Sequence, residues 1–331
     1  MTTSREDMPT PKTEALAAMA PRKKHWTERM PVISHLRQSV GLQRGMLITG
    51  LTITAIFVLV AIFAPLLAPY SWAQQQGADG VTFGSQQAPN ATNLLGTTVS
   101  GFDVLSRVIW GAQTALLVII AAIICSIFIG IALGLISGYF GGWLDRVLVV
   151  IADAVYAFPS LLLAIVMSIV ISKGQSTLWG GIAATAISIT VVFVPQYFRV
   201  VRAEVVRVRA EPFVDSAKVI GVPTGRILLR HVLRNSTRSL PVVITLNASE
   251  ALLTLAGLGF LGFGIEATSA AEWGYDLNRA VSDVTSGIWW TSVFPGVAIV
   301  LVVLGVTLVG ESLNDLSDPR LRTRRRAGGA S

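Results

Sequence analysis

Three polar side chains that ionise or hydrogen-bond strongly lie inside or next to long apolar stretches: Asp153, Asn247 and Glu250. Ionisable groups in hydrocarbon are costly, so they usually face protein or a water-filled path. One interpretation places the three along a translocation path. The alternative is that they brace broken helices near the membrane interface. The two carboxylates, Asp153 and Glu250, are too far apart in the sequence to predict a proton relay.

Residues for other kinds of chemistry are sparse. The three histidines lie in polar or basic stretches, and none pairs with a Ser or Cys at a strained turn, so no catalytic site is predicted. No Cys/His cluster has metal-ligand spacing, and the single cysteine, Cys125, is interpreted as a small buried hydrophobic residue. No G-x-x-x-x-G-K-[ST] motif occurs. We therefore expect this chain to bind no nucleotide, metal or other cofactor.

The composition is that of a membrane protein. Only 14% of the 331 residues are charged and 52% are hydrophobic, whereas soluble domains carry about 25% charged residues. A bilayer core needs about 20 apolar residues per helix, and several stretches reach that length. We predict an all-α membrane protein with six transmembrane helices. The net charge of +7 lies between the apolar blocks, so it indicates membrane topology and no nucleic-acid partner.

The apolar blocks divide the chain into spans and connections. The predicted core of five helices occupies residues 113–310 and carries the basic loop 199–240. The predicted segments are a basic tail at 1–44, a first span at 45–68, an external loop at 69–112, spans at 113–137 and 147–171 joined by a turn at 138–146, spans at 178–198 and 241–264 joined by the basic loop, an acidic loop at 265–288, a sixth span at 289–310 and a basic tail at 311–331. Asp153 and Pro159 interrupt the third span.

The distribution of Lys and Arg predicts the topology. The two tails, the 138–146 turn and the 199–240 loop contain 23 of the 26 Lys and Arg residues, and the other connections contain one each. With six spans, these four segments fall on one side of the membrane. Loops rich in Lys and Arg face the cytoplasm, so both termini are predicted to be cytoplasmic.

The second span carries three glycines at intervals of four, Gly130, Gly134 and Gly138. Small residues at this spacing let another helix approach closely. The favoured interpretation is packing within the chain, and the alternative is a subunit interface.

The basic loop 199–240 is too long for a simple connection and should have structure of its own. Pro212 suits the first position of a short helix, and Asp215 lies near the positive end of its dipole. Gly221 suits the position after the helix, where φ is often positive, and Pro223 prevents continuation. This predicts a short helix that docks into a partner protein.

Thr224 is then predicted to cap a second helix. The second helix carries four arginines at intervals of four, interpreted as a stripe along anionic lipid headgroups: Arg226, Arg230, Arg234 and Arg238.

The same loop resembles the "EAA" signature of ABC importer permeases, through Asp215-Ser216-Ala217-x-x-x-Gly221 and Arg230-His231-Val232-Leu233. More narrowly, the chain resembles the second permease subunit of dipeptide and oligopeptide importers. This resemblance covers about residues 94–321 and the first span. Asp215, Ser216 and Arg234 replace the Glu, Ala and Pro of the family pattern. Further matching segments are Leu95-Gly96-Thr97, Asp103-Val104-Leu105-Ser106-Arg107, Gly138–Arg146, Ala157-Phe158-Pro159-Ser160, Phe260–Gly264, Trp273-Gly274 and Asp318-Pro319-Arg320.

The resemblance implies a type I ABC importer permease fold in the bacterial inner membrane. It implies a heterodimer with a second permease, two ATPase subunits or domains that use ATP and Mg, and an extracytoplasmic binding protein. The coupling to the ATPase would involve Glu211, Asp215, Ser216, Ala217, Lys218, Gly221 and Pro223. Contact with the binding protein would involve the 94–111 and 265–288 segments, including Gly96, Thr97, Asp103 and Arg107.

The function implied is ATP-driven uptake of di- or oligopeptides, with no enzymatic activity in this chain. A nickel chelate, glutathione or haem would suit relatives of the same kind. A secondary transporter would need site chemistry or inverted repeats in the spans, and the spans are poor in such groups. A membrane scaffold fits the long loop nearly as well on physical grounds, and the motif series separates it from the importer.

Overall fold

The structure is a computed structural model that describes residues 42–172 and 178–317. Within these ranges it is helical, with two isolated β-bridges. The helices are α1 (Leu42–Ile62), α2 (Ala64–Leu67), α3 (Val104–Phe140), α4 (Gly142–Tyr156), α5 (Ser160–Ser172), α6 (Leu178–Arg209), α7 (Pro212–Val219), α8 (Thr224–Arg226), a π-helical turn (Ile227–Val232), α9 (Leu233–Ser236), α10 (Leu240–Phe260), α11 (Trp273–Thr285) and α12 (Trp290–Ser317).

Among the described residues, five helices are long and apolar enough to cross a membrane: α1, α3, α6, α10 and α12. The predicted third span is different, because it consists of α4 and α5, bent by 96°. Pro159 causes the break, since it has no N–H to donate and it disfavours helical geometry in the residue before it. The count reaches six if the bent pair forms one span.

Two helices extend beyond the predicted spans. The helix that contains the second span begins at Val104, ahead of residue 113, because Asp103 caps it: its Oδ2 accepts a hydrogen bond from the Ser106 backbone N–H at 2.8 Å. The helix that contains the fourth span continues to Arg209, so the first part of the predicted 199–240 loop is helical.

The tails and a surface residue also differ from prediction. The predicted 1–44 tail lies outside the described residues except 42–44, which are helical, and α12 extends the sixth span to Ser317. Cys125 is exposed and not buried, because it lies on a side of α3 that no described helix covers.

The main packing contact joins α3 to α6, and the three glycines lie along it. A Cβ on Gly134 would lie 2.9 Å from the Phe198 carbonyl oxygen and 3.0 Å from the Arg202 backbone nitrogen. Gly130 faces Tyr197, and Gly138 faces Val205. The glycines therefore bring two helices of the same chain together, in line with the favoured interpretation.

Long α3 connects two polar regions. Its 37 residues span about 55 Å at about 1.5 Å per residue. At Val104 it meets the 68–103 and 261–289 segments, which we call the polar end. At Phe140 it meets α4 and the arginines of α6, which we call the basic end. The charge count predicts the polar end outside and the basic end in the cytoplasm.

Ion pairs hold α6 at the basic end. Nε and Nη2 of Arg202 donate to both carboxylate oxygens of Asp145, at 2.6 and 2.7 Å. Ser137 also bonds to this carboxylate. Arg209 donates to the Tyr139 carbonyl at 2.7 Å. Several of the basic residues that predict the topology therefore also fix the packing of α6 on α3 and α4.

Candidate functional site

The short helix α7 is closed at both ends by its sequence. Glu211 is extended before it, and Pro212 takes the first helical position. At its other end Gly221 has φ of +79° and donates to the Lys218 carbonyl, while Val222 donates to the Ala217 carbonyl, each at 3.0 Å. This pair of bonds is a Schellman motif. The helix therefore ends where the sequence predicts, within two residues.

One face of α7 packs in the hydrophobic core, and its C-terminal end is exposed. Val214 and Ala217 are buried in the hydrophobic core cluster together with Ile227. Val219 and Ile220 are 86% and 78% exposed, and Phe213 is also exposed. Large apolar groups exposed together mark protein–protein contacts. The helix is therefore a rigid projection with an apolar end.

The polar residues of the predicted coupling site lie on the outer surface of α7. Lys218 pairs with Asp215 at 2.9 Å, and both side chains are exposed. The Ser216 hydroxyl donates to the Pro212 carbonyl at 3.0 Å. Such a surface pair contributes little to stability, so these residues are available to a partner.

The segment after α7 differs from the predicted second helix. Thr224 does not cap it, because Pro223 occupies the cap position and no side chain donates or accepts there. The helix is also not uniform, since residues 227–232 form a π-helical turn. The four arginines nevertheless remain exposed, as a stripe on a membrane surface requires.

The intramembrane polar residues do not form one cluster. Asp153 pairs with Arg199 at 2.7 Å, and Arg199 stacks 4.3 Å from the centre of the Tyr156 ring. This pair links α4 to α6, which agrees with a bracing role. Asn247 is 3% exposed, and its Nδ2 has no hydrogen-bond partner among the described residues.

Glu250 faces a cavity of about 260 Å³ beside the α4–α5 break. We call this cavity the bend pocket. Sequence reasoning missed Gln196, which lines it beside Glu250; a signal was available in its position one residue after Pro195 inside an apolar helix. The lining residues are Val155, Tyr156, Phe158, Ser160, Leu163, Val192, Phe193, Gln196 and Glu250.

The four residues predicted for external contact are all buried, which corrects that expectation. Gly96 has φ of +77°, and a Cβ there would lie 2.7 Å from the Trp290 ring. The Thr97 hydroxyl donates to the Gly84 carbonyl at 2.6 Å. Asp103 caps α3. These side chains fold the polar end, and only its exposed residues, such as Leu94 and Val99, remain free to touch a partner.

Arg107 is the centre of the polar end and is 1% exposed. Its Nε donates to both carboxylate oxygens of Asp276, at 2.8 and 2.9 Å, and its Nη1 donates to the Trp72 carbonyl at 3.0 Å. The guanidinium lies 5.2 Å from the centre of the Phe102 ring. One side chain of α3 therefore joins α11 to the 68–103 segment.

A second buried acid lies beside this pair. Glu272 caps α11 by accepting the backbone N–H groups of Gly274 and Tyr275, at 2.8 and 2.7 Å. Burial raises the pKa of Glu272 to about 8, although both backbone bonds act in the opposite direction. Burial also raises the pKa of Asp276, although the charge and hydrogen bonds of Arg107 act in the opposite direction.

Replacing Arg107 by Met should unfold the polar end. Removing one member of a buried ion pair costs about 3–5 kcal/mol, because the remaining charge is left unpaired. We expect a lower melting temperature in detergent and faster proteolysis of the 68–103 segment. Arg279→Met on the exposed side of α11 is the control and should change neither. Equal stability of the two variants would contradict the central role of Arg107.

Comparison with known proteins agrees with this architecture. A family model described as "Binding-protein-dependent transport system inner membrane component" matches residues 130–323. The chain belongs to this family. The N-terminal TM domain of oligopeptide transport permease C matches residues 43–89 of the permease. The predicted family and fold class, a type I ABC permease, are therefore confirmed.

Two curated relatives cover most of the permease. A dipeptide transport system permease protein of Alkalihalophilus pseudofirmus is 37% identical over 83% of this chain and 86% of its own length. A glutathione transport system permease protein of Escherichia coli O157:H7 is 34% identical over 85% of this chain and 88% of its own length. The chain is thus a transport subunit and not an enzyme, and the ATPase is a separate chain.

Proposed function

We propose that this permease is the membrane subunit of an ATP-driven importer that takes up di- or oligopeptides across the bacterial inner membrane. The observation that carries the proposal is α7: a short helix, closed at both ends and anchored by Val214 and Ala217, whose apolar end is free. Such a helix transmits a push from a partner better than a flexible loop does.

The partner that pushes is a pair of ATPase subunits or domains. The permease has no P-loop, so ATP and Mg are bound by that partner and not by this chain. Phe213, Val219 and Ile220 would enter an apolar groove on the ATPase. A second permease subunit completes the path across the membrane, and an extracytoplasmic binding protein delivers cargo to the polar end.

The charge distribution supports this orientation. Lys and Arg are concentrated in both tails and at the basic end, and loops rich in Lys and Arg face the cytoplasm. This supports a cytoplasmic position for these parts and for α7. The polar end then faces the binding protein. Its acidic residues include Glu266 and Asp283.

Peptides are the proposed cargo because one relative is named for dipeptide transport. The relative named for glutathione transport supports a second candidate cargo, which is itself a small peptide. Both cargoes carry a free ammonium group, whereas glutathione has one more carboxylate than a simple dipeptide and a different linkage.

Reconstituted transport tests the proposal. The complete complex in proteoliposomes should accumulate labelled dialanine with ATP and not with a non-hydrolysable analogue. Omitting the ATPase should stop uptake. Competition by unlabelled dipeptides, longer peptides and glutathione would then rank the cargoes. Uptake by this chain without any ATPase would overturn the proposal.

A further inference from the structure

The bend pocket presents a carboxylate without a partner. Glu250 is exposed to it, and its carboxylate forms no ion pair or hydrogen bond with any described residue. Gln196 also lines the pocket, but its Oε1 atom is buried and out of reach of a ligand. The Glu250 carboxylate is therefore suited to a ligand that brings N–H groups.

The charge of the pocket is negative. Glu250 is its one carboxylate, and no Lys, Arg or His is among its lining residues. The nearby Arg199 is already neutralised by Asp153 at 2.7 Å. The helix dipoles leave the negative charge of the pocket unchanged. The C-terminus of α4, with its partial negative charge, and the N-terminus of α5, with its partial positive charge, lie at the same break and cancel.

Aromatic rings add to the attraction for a cation. Tyr156 and Phe158 both line the pocket, and the Tyr156 ring already holds the Arg199 guanidinium at 4.3 Å. Ring faces attract cations within about 6 Å. The Phe158 ring therefore adds to the attraction of Glu250 for an ammonium group, whereas Arg199 occupies one face of the Tyr156 ring.

The size of the pocket limits what enters. Its volume is about 260 Å³, just below the range of about 300–1,000 Å³ typical of sites that enclose a whole small ligand. One end of a peptide fits better than the full molecule. The break at Pro159 creates this space, because α5 turns away from α4 by 96°.

We propose that the bend pocket binds the free amino terminus of the cargo during translocation. Glu250 is the counter-ion of the ammonium group. The inference rests on the proposed function, since a peptide cargo supplies this group. It goes further by assigning a role to a pocket in the permease itself, apart from any selection by the binding protein.

Equilibrium binding to the purified complex of permeases and ATPases, without the binding protein, tests this directly. The probes are labelled dialanine and N-acetyl-dialanine, which lacks the ammonium charge. Hydrogen bonds to charged groups contribute about 1.5–3 kcal/mol, so Glu250→Gln should weaken dialanine binding roughly tenfold or more. N-acetyl-dialanine should bind the unaltered complex about as weakly, and Glu250→Gln should not weaken it further.

Two further variants separate recognition from folding. Glu311→Gln removes an exposed carboxylate from α12, outside the pocket, and should leave binding unchanged. Glu250→Asp keeps the charge and should restore most of the dialanine affinity. Equal binding of the two probes to the unaltered complex would overturn the proposal even if Glu250→Gln failed to assemble.

The result is distinguishable from failure of the proposed function. If the complete complex shows ATP-dependent peptide uptake but the two probes bind equally, only the ammonium site is wrong. If no peptide is taken up with ATP, the proposed function fails first. Uptake of free-amine peptide that falls selectively in Glu250→Gln supports both.

Discussion

Deleting Asp215–Gly221 is expected to abolish ATP-driven uptake while leaving the chain inserted in the membrane. The deletion removes most of α7 and the Gly221 that ends it, but none of the spans. The ATPase would then hydrolyse ATP without moving the permease. The measurements are uptake in proteoliposomes, membrane abundance of the chain and ATPase activity of the complex. Uptake at the full rate would contradict the coupling role of α7.

A finer version of this experiment uses the apolar end of α7. The double variant Val219→Asp/Ile220→Asp places charges on the surface proposed to enter the ATPase. Central interface side chains each contribute about 2 kcal/mol or more. The loss of one such side chain therefore corresponds to roughly a 30-fold loss of affinity. Co-purification of the ATPase should fall accordingly. Leu229→Asp alters an exposed apolar residue of the same loop outside α7 and should retain the ATPase.

Gly134→Ala is expected to destabilise the permease strongly for a change of one methyl group. The new Cβ would lie 2.9 Å from the Phe198 carbonyl oxygen and the Val201 Cβ, and 3.0 Å from the Arg202 nitrogen. These are backbone and Cβ atoms that cannot move independently of α6. Overpacking of this kind costs about 1–3 kcal/mol. We expect a lower melting temperature in detergent and less assembled complex.

Gly45→Ala is the matched control, because a Cβ on Gly45 of α1 meets no atom of a described residue within 4 Å. Alanine is favoured over glycine in a helix by about 1 kcal/mol, so this variant should be as stable as the original or more stable. If Gly134→Ala behaved like Gly45→Ala, the close approach of α3 and α6 would not be a requirement of the fold.

In the proposed mechanism, the basic end and the polar end of the permease would have different mechanical roles. At the basic end, Arg202 and Arg209 tie α6 to α4 and to the end of α3. A push on α7 would therefore reach the helices that border the bend pocket. At the polar end, Arg107 joins three segments that are far apart in the sequence. We therefore expect movement of α7 to be resisted at the polar end, where Arg107 holds α3, α11 and the 68–103 segment together.

The sequence by itself determined the parts of this protein that depend on local composition. Runs of about 20 apolar residues predict spans, because the bilayer requires that length. The ends of α7 follow from Pro212 and Gly221, whose backbone preferences act within a few residues. The glycine spacing in α3 also predicts close packing, since a helix brings every fourth residue to the same face.

Only the tertiary structure decided which distant residues meet. Arg107 looks like an exposed residue of an external motif, yet it is buried because α11 supplies Asp276, 169 positions away, and burying the pair requires both. Pro159 signals a break, but the 96° angle depends on how α5 packs. The bend pocket combines residues of four helices, and residues on separate helices share no local signal.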